Sequence, residues 1–193
     1  MPNQRWQQKY LNSDGPGAPA EVLLQNQHLL PTNGRALDLA CGLGANALFL
    51  AGKGLNCHAW DFSSVALEKL DACAREQQLS IQTKEIDLES EPFPDQRFDL
   101  IVVAHYLHRP LCDAICRALN PGGLLFYQTF CQQKTSDQGP GNPRFLLAEN
   151  ELLTLFQALQ PVVYREERLI GTVSEGFRDQ AMLIAQKPLL AGK

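Results

Sequence analysis

The chain has 193 residues, with 17 Lys and Arg against 21 Asp and Glu, a net charge of -4 and 45% apolar residues. That length supports a core without disulfides or a structural metal, and the negative balance excludes general attraction to a phosphate backbone. No apolar run approaches the roughly 18 residues that a membrane span requires, and the first residues carry no apolar secretory segment; a cytoplasmic protein is expected, with neither nucleic acid nor membrane as partner.

Residues 19–30 have the pattern of an amphipathic helix, with Pro19 near its first turn. Ala36-Leu37-Asp38-Leu39-Ala40 is a short apolar run that leads into Gly42 and Gly44 and then a helix over 46–51, the pattern of a buried strand, turn and helix. A second strand is predicted over 57–61, and a helix capped by Ser63 or Ser64 follows to about Gln77. Strands over 81–86 and 98–104 come next, and Leu111, Ile115 and Leu119 recur at helical spacing before Asn120-Pro121-Gly122-Gly123. A fifth strand spans 124–129, an amphipathic helix 149–159, and two closing strands 162–167 and 181–186. Strand and helix alternate to residue 130, which implies parallel strands with right-handed crossovers. The last two strands lack a helix between them and imply an antiparallel hairpin at one edge. The expected fold is α/β, a Rossmann-like, doubly wound and mostly parallel seven-stranded sheet. One domain over 1–193 is expected: a helical cap over 1–33, a cofactor-binding core over 34–130, and an acceptor-side loop, helix and strand pair over 131–193. The cysteines at 41, 57, 73, 112, 116 and 131 show no C-x-x-C spacing and read as reduced core thiols.

Ligands of such sheets bind beyond the carboxyl ends of the strands. Here the first strand carries Asp38 and runs into Cys41-Gly42-Leu43-Gly44, the second ends in Asp61 and the third in Asp87. Asp61 follows Gly42 by 19 residues, the spacing at which a carboxylate meets ribose hydroxyls, and Phe62 beside it suits stacking on a purine. Gly42-x-Gly44-x-x-Ala47 also satisfies a relaxed dinucleotide fingerprint, so an NAD(P)-dependent oxidoreductase is the rival reading. Against it, Asp38 would crowd a pyrophosphate, and Asp87-Leu88 would have no task.

The runs Ala36-Leu37-Asp38-Leu39-Ala40-Cys41-Gly42-Leu43-Gly44, Trp60-Asp61-Phe62-Ser63, Ile86-Asp87-Leu88, Phe98-Asp99-Leu100-Ile101-Val102 and Asn120-Pro121-Gly122-Gly123 resemble, in order and spacing, the class I S-adenosylmethionine-dependent methyltransferases. Trp6, Tyr10 and the Ala-Trp-Asp run are similar to the small tellurite-resistance-type members. The resemblance implies S-adenosyl-L-methionine as cofactor and S-adenosyl-L-homocysteine as product. It implies that Asp38 and the backbone of Ala40, Gly42 and Gly44 surround the methionine part, and that Asp61 accepts both ribose hydroxyls. Phe62 would flank adenine, Asp87 would take its amino group beside Leu88, and the Ala104 carbonyl would take the ammonium. Tyr10, one helical turn from Trp6, is expected to close over the cofactor.

After the fourth strand stands His105-Tyr106-Leu107-His108-Arg109. His105 is expected to contact cofactor or substrate, with His108 or Tyr106 as the base; no metal is expected, because the two histidines lack a third ligand. Arg109 and Arg144 are candidates to clamp an anionic acceptor, and Phe130 and Phe145 to wall its pocket. The acceptor is expected to be a small molecule, and the protein a monomer or homodimer. A non-catalytic S-adenosylmethionine-binding regulator remains the second alternative.

Overall fold

The computed structural model describes residues 2–189. Seven strands form one sheet in the order β3-β2-β1-β4-β5-β7-β6: β1 (Arg35–Leu39), β2 (Asn56–Asp61), β3 (Ile81–Glu85), β4 (Phe98–Ala104), β5 (Leu119–Phe130), β6 (Gln160–Glu166) and β7 (Gln180–Gln186). The first five are parallel; β7 runs antiparallel between β5 and β6. The α/β class, the mostly parallel sheet and the antiparallel closing pair match the sequence reading. The chain reverses direction outward from β1, so β1 and β4 flank the switch point where ligands of open sheets bind.

The helices are α1 (Pro2–Leu11), α2 (Glu21–Gln25), α3 (Ala45–Gly52), α4 (Ser64–Glu76), α5 (Cys112–Ala118) and α6 (Glu151–Leu155). Alternation along each strand divides the core between the sheet's two faces. Leu37, Leu39, Ile101, Val103, Leu125, Tyr127 and Leu183 pack on one face with α5 and α6. Ala36, Leu100, Val102, Phe126, Met182 and Ile184 pack on the other, beneath Val22 and Leu23 of α2. Ser63 caps α4, its hydroxyl accepting from the Ala66 N–H. Among the described residues no helix is long and apolar enough to cross a membrane, and all six cysteines are free thiols.

Three helix expectations are corrected. The helix over 19–30 shrinks to α2 and a 3-10 turn, Gln27–Leu29, because the buried Asn26 side chain donates back to the Val22 carbonyl and takes a non-helical backbone. Leu119 leaves the helix of Leu111 and Ile115: it opens β5 opposite Phe98, and the strands re-register at Leu124. Gly123 makes that bulge possible, since a Cβ there would meet the Asn120 carbonyl oxygen at 2.9 Å. The helix over 149–159 reduces to α6, preceded by Asn150 at φ 58° and ended by the buried Phe156 turning into the core.

Candidate active site

The carboxyl ends of β1, β2 and β4 meet at the glycine turn. Asp61 closes β2 and is 3% exposed; its Oδ2 accepts from the Gly42 N–H at 2.8 Å and its Oδ1 from the Ser63 N–H at 3.0 Å. One carboxylate therefore ties the turn after β1 to the start of α4. Each oxygen keeps a lone pair beyond those bonds. Burial raises the Asp61 pKa, opposed by the N–H groups of Ser63, Gly42 and Phe62.

The glycines divide two tasks. Gly42 (φ 53°) presents bare backbone, and a Cβ there would lie 3.0 Å from the Tyr10 hydroxyl oxygen; Gly44 (φ 79°) lies against Leu70 of α4, where a Cβ would collide. Ala40 (φ 55°) and His105 (φ 57°) also take left-handed backbone, at the ends of the neighbouring strands β1 and β4. Such conformations cost energy in residues with a side chain and gather at functional sites.

Asp38 sits one layer deeper, 1% exposed, with Oδ2 accepting from the Ala47 N–H at 3.0 Å and Oδ1 from the Asn46 amide at 3.3 Å. Asn46 is itself oriented by the Ala20 N–H, which donates to its Oδ1 at 2.9 Å. Asp38 thus braces the start of α3. Burial lifts its pKa to about 7. A carboxyl raised in the folded chain gives its full stability below about pH 4 and loses it as the pH rises through about 7. Urea unfolding should therefore lose stability from pH 6 to pH 8 more in the wild type than in Asp38→Asn; equal slopes would refute a raised pKa.

Ala40, Cys41, Ala45, Asn46, Ala104 and His105, with Pro16, Ala18 and Ala20 from the N-terminal segment, enclose a cleft of about 140 Å³. Its floor is small side chains and strand-end backbone. Next to it α1 crosses α4, held by Lys69, whose ammonium donates to the carbonyls of Tyr10, Leu11 and Ser13 at 2.7 to 3.0 Å. Trp6 and Tyr10 stack with ring centres 5.8 Å apart, and Tyr10 lies over Gly42. Burial first, then the Asp61 charge, keeps the Tyr10 phenol protonated.

Asp87 and Leu88 lie just after β3; Asp87 Oδ1 accepts from the Glu89 N–H at 3.0 Å, and Leu88 is buried. Phe62 is half-buried beside Asp61. The Tyr106 phenol is pushed up by burial and by the carboxylates of Glu89, Asp87 and Asp61. A phenol in that setting is a hydrogen-bond donor near neutral pH. His108 is half-buried ahead of the 3-10 turn Arg109–Leu111.

The acceptor-side expectations fare unevenly. Phe130 packs on the His105 ring with centres 5.3 Å apart, and Gly139 folds against it, a Cβ there falling 2.5 Å from the ring. Arg144 and Phe145 lie on an exposed 3-10 turn, Pro143–Phe145. Arg109 is corrected outright. Its Nε and Nη2 pair with Glu151 at 2.6 and 2.9 Å, while Nη1 and Nη2 donate to the carbonyls of Arg144 and Leu146. The guanidinium ties the 143–151 segment to β4's exit and has little left for an acceptor. Arg109→Ala should lower stability by about 1–2 kcal/mol, the fully buried cost discounted for partial exposure, and leave S-adenosylhomocysteine affinity unchanged. Normal stability with weakened ligand binding would restore the clamp.

Sequence reading missed Asn46, Lys69, Gln128 and Gln180. Gln128 alone carried a signal: it is a polar residue within an apolar strand run, and such a residue needs a buried partner. It is 2% exposed, accepts from the Val22 N–H at 2.7 Å and donates to Gln180 Oε1 at 2.9 Å. Gln180 also lines a second, larger cavity of about 350 Å³, walled by Glu21, Thr135, Ser136 and Asp179.

Residues 36–123 match the family described as Methyltransferase domain. An uncharacterized protein of Mycobacterium tuberculosis is 30% identical over 96 residues, covering 47% of this chain and 35% of that protein. The probable S-adenosyl-L-methionine-dependent methyltransferase TehB of Haemophilus influenzae is 27% identical over 141 residues, 68% of this chain and 48% of its own length. The match thus spans a third to a half of these relatives. The crystal structure of TehB from Haemophilus influenzae superposes with a TM-score of 0.69 at 24% identity, covering 94% of this chain and 65% of that one, which establishes likeness of fold. The antiparallel β7 between β5 and β6 also departs from the 3-2-1-4-5-6 order of dinucleotide-binding sheets, against the oxidoreductase reading. Residues 36–123 thus match a family of methyltransferase domains, in a chain whose fold is like that of the TehB structure.

Proposed function

We propose that the protein moves a methyl group from S-adenosyl-L-methionine to a small-molecule acceptor. The observation that carries this reading is the Asp61 carboxylate, fixed to the Gly42 turn and still able to accept on both oxygens, beside a cleft of small side chains. A sugar diol needs paired acceptors, and an amino-acid tail needs exposed backbone without intruding side chains. The residues present fit both.

In this reading Asp61 accepts the ribose hydroxyls, Phe62 and Leu88 flank adenine, and Asp87 accepts from its amino group. Ala40, Gly42 and Gly44 offer backbone to the methionine part, the Ala104 carbonyl receives the ammonium, and Asp38 acts from beneath by bracing α3. Tyr10, held down through Lys69, covers the cofactor and excludes water. S-adenosylmethionine supplies a methyl group activated by its sulfonium charge, so the protein's work is to hold the nucleophile in line and take away its proton. His105, with Tyr106 and His108 nearby, borders the acceptor, and Phe130 supports His105; Phe145 and Arg144 form the outer rim. Residues 1–193 act as one unit, a cytoplasmic monomer or homodimer.

The small cleft and the net charge of -4 favour a small acceptor over nucleic acid. Incubation with methyl-labelled S-adenosylmethionine and separate low-mass and protein fractions of a cell extract tests this. Label in the low-mass fraction, with S-adenosylhomocysteine accumulating, is expected. Label confined to protein would overturn the acceptor class, and cofactor binding without S-adenosylhomocysteine formation would favour the regulator.

A further inference from the structure

A chain of hydrogen bonds with an unambiguous starting point runs into His105. The Val22 backbone N–H is a donor only, so the Gln128 atom facing it at 2.7 Å is the carbonyl Oε1. The Gln128 amide nitrogen is thereby turned to Gln180 at 2.9 Å and requires an acceptor there, which fixes Gln180 Oε1 toward Gln128. That same Oε1 lies 3.1 Å from His105 Nε2. An amide oxygen only accepts, so Nε2 carries the proton, and in the neutral ring Nδ1 is left with the lone pair. Amide orientations are interchangeable when taken singly; here a backbone N–H settles both amides, and the ring nitrogen that faces the Gln180 oxygen must then be the protonated one.

We propose that Gln128 and Gln180 are positioning residues that hold His105 as the Nε2-protonated tautomer, so that Nδ1 is the base for the methyl acceptor. This rests on the methyl-transfer reading of the site and deepens it. The other neighbours agree: Phe130 packs tilted against the ring, 34° from parallel, and Lys9 of α1 opposes an imidazolium. The backbone at φ 57° is a second sign of a ring held in place against local preference.

The acceptor class follows. A nucleophile X–H, where X is N, O or S, attacks the methyl carbon; the X–C bond forms, the C–S bond breaks, and its electron pair goes to sulfur, giving S-adenosylhomocysteine. The proton of X–H passes to His105 Nδ1 and then to water. A base with a fixed tautomer serves acceptors that lose a proton, and has no task for a thioether or tertiary amine.

Long-range proton–nitrogen NMR of the full-length, nitrogen-15-labelled protein at pH 7.5, without cofactor, tests the device, with His105→Asn identifying the His105 signals. Wild type should show one neutral tautomer, with the proton on Nε2. Gln180→Leu should give two tautomers in exchange. Gln180→Glu, which still accepts from both partners, should restore the Nε2-protonated form and move the ring's titration to higher pH. A wild-type proton on Nδ1, an averaged wild-type ring, or a Gln180→Leu spectrum identical to wild type would each overturn the proposal. If Gln180→Leu fails to fold, the wild-type tautomer and Gln180→Glu decide. Titration of the same sample with S-adenosylhomocysteine tests the methyl-transfer reading separately, because the tautomer is read before any ligand is added.

Discussion

Replacing Asp61 with alanine is expected to weaken S-adenosylmethionine and S-adenosylhomocysteine binding by about 2–4 kcal/mol, roughly 30- to 900-fold, from the loss of charge-assisted hydrogen bonds to the ribose. The effect should exceed that of any other single change in the cofactor site, because Asp61 also holds the Gly42 turn through Oδ2 and the first turn of α4 through Oδ1. Leaving the buried Gly42 N–H without a partner costs a further 1–3 kcal/mol or so of stability. The two losses separate experimentally: calorimetry reads affinity, and urea unfolding reads the turn. Asp61→Asn, which keeps one acceptor oxygen, should fall between wild type and alanine in both. A destabilised Asp61→Ala protein with unchanged affinity would remove Asp61 from the ribose site and leave it a structural clamp.

The second large effect is expected at His105. As the base, its replacement by alanine should cut S-adenosylhomocysteine formation by about 10²- to 10⁴-fold, with cofactor affinity changed by no more than a few-fold. Desolvation, the largest influence, lowers the imidazole pKa below 6.5; the Gln180 hydrogen bond, next in size, opposes it, and the Lys9 charge adds to the lowering. A lowered pKa leaves the ring neutral and able to accept a proton at pH 7. Turnover should therefore be flat above neutrality and fall as the pH drops through the lowered value. His105→Ala should abolish that acid limb while any residual turnover persists. His108→Ala, by contrast, should keep the limb, and its loss in that variant would transfer the base to His108.

Both effects arise from a part of the fold that alternation made readable. The apolar runs at β1, β2, β4 and β5 announced buried parallel strands, and the polar or glycine residues at their carboxyl ends announced the ligand edge, so Asp61 and Gly42 could be named from pattern, and Ala104 from the family resemblance. The helices were less legible because tertiary bonds end them: Asn26 turns its amide back on Val22, and Leu119 exchanges helix for a pairing with Phe98. Arg109 was misjudged for a related reason. Its partner Glu151 is 42 residues away, and no local pattern marks a bidentate pair across that distance. Likewise, the relay that fixes His105 joins Val22, Gln128 and Gln180 from α2, β5 and β7, elements brought together only when β7 inserts beside β5.

The N-terminal segment also proved more than a cover. Val22 and Leu23 are fully buried in the core, and the N–H groups of Ala20 and Val22 orient Asn46 and Gln128, so α2 is part of the site's foundation. Tyr10 of α1 reaches Gly42, and α1 is tied down by Lys69.

The most direct test of the central claim is isothermal titration of the purified protein with S-adenosylmethionine and S-adenosylhomocysteine, with NADH and NADPH in parallel. Saturable binding of both adenosyl ligands at one site per chain, lost in Asp61→Ala, with no heat from either nicotinamide, is the predicted result. Binding of the nicotinamides alone, or adenosyl binding indifferent to Asp61, would contradict it.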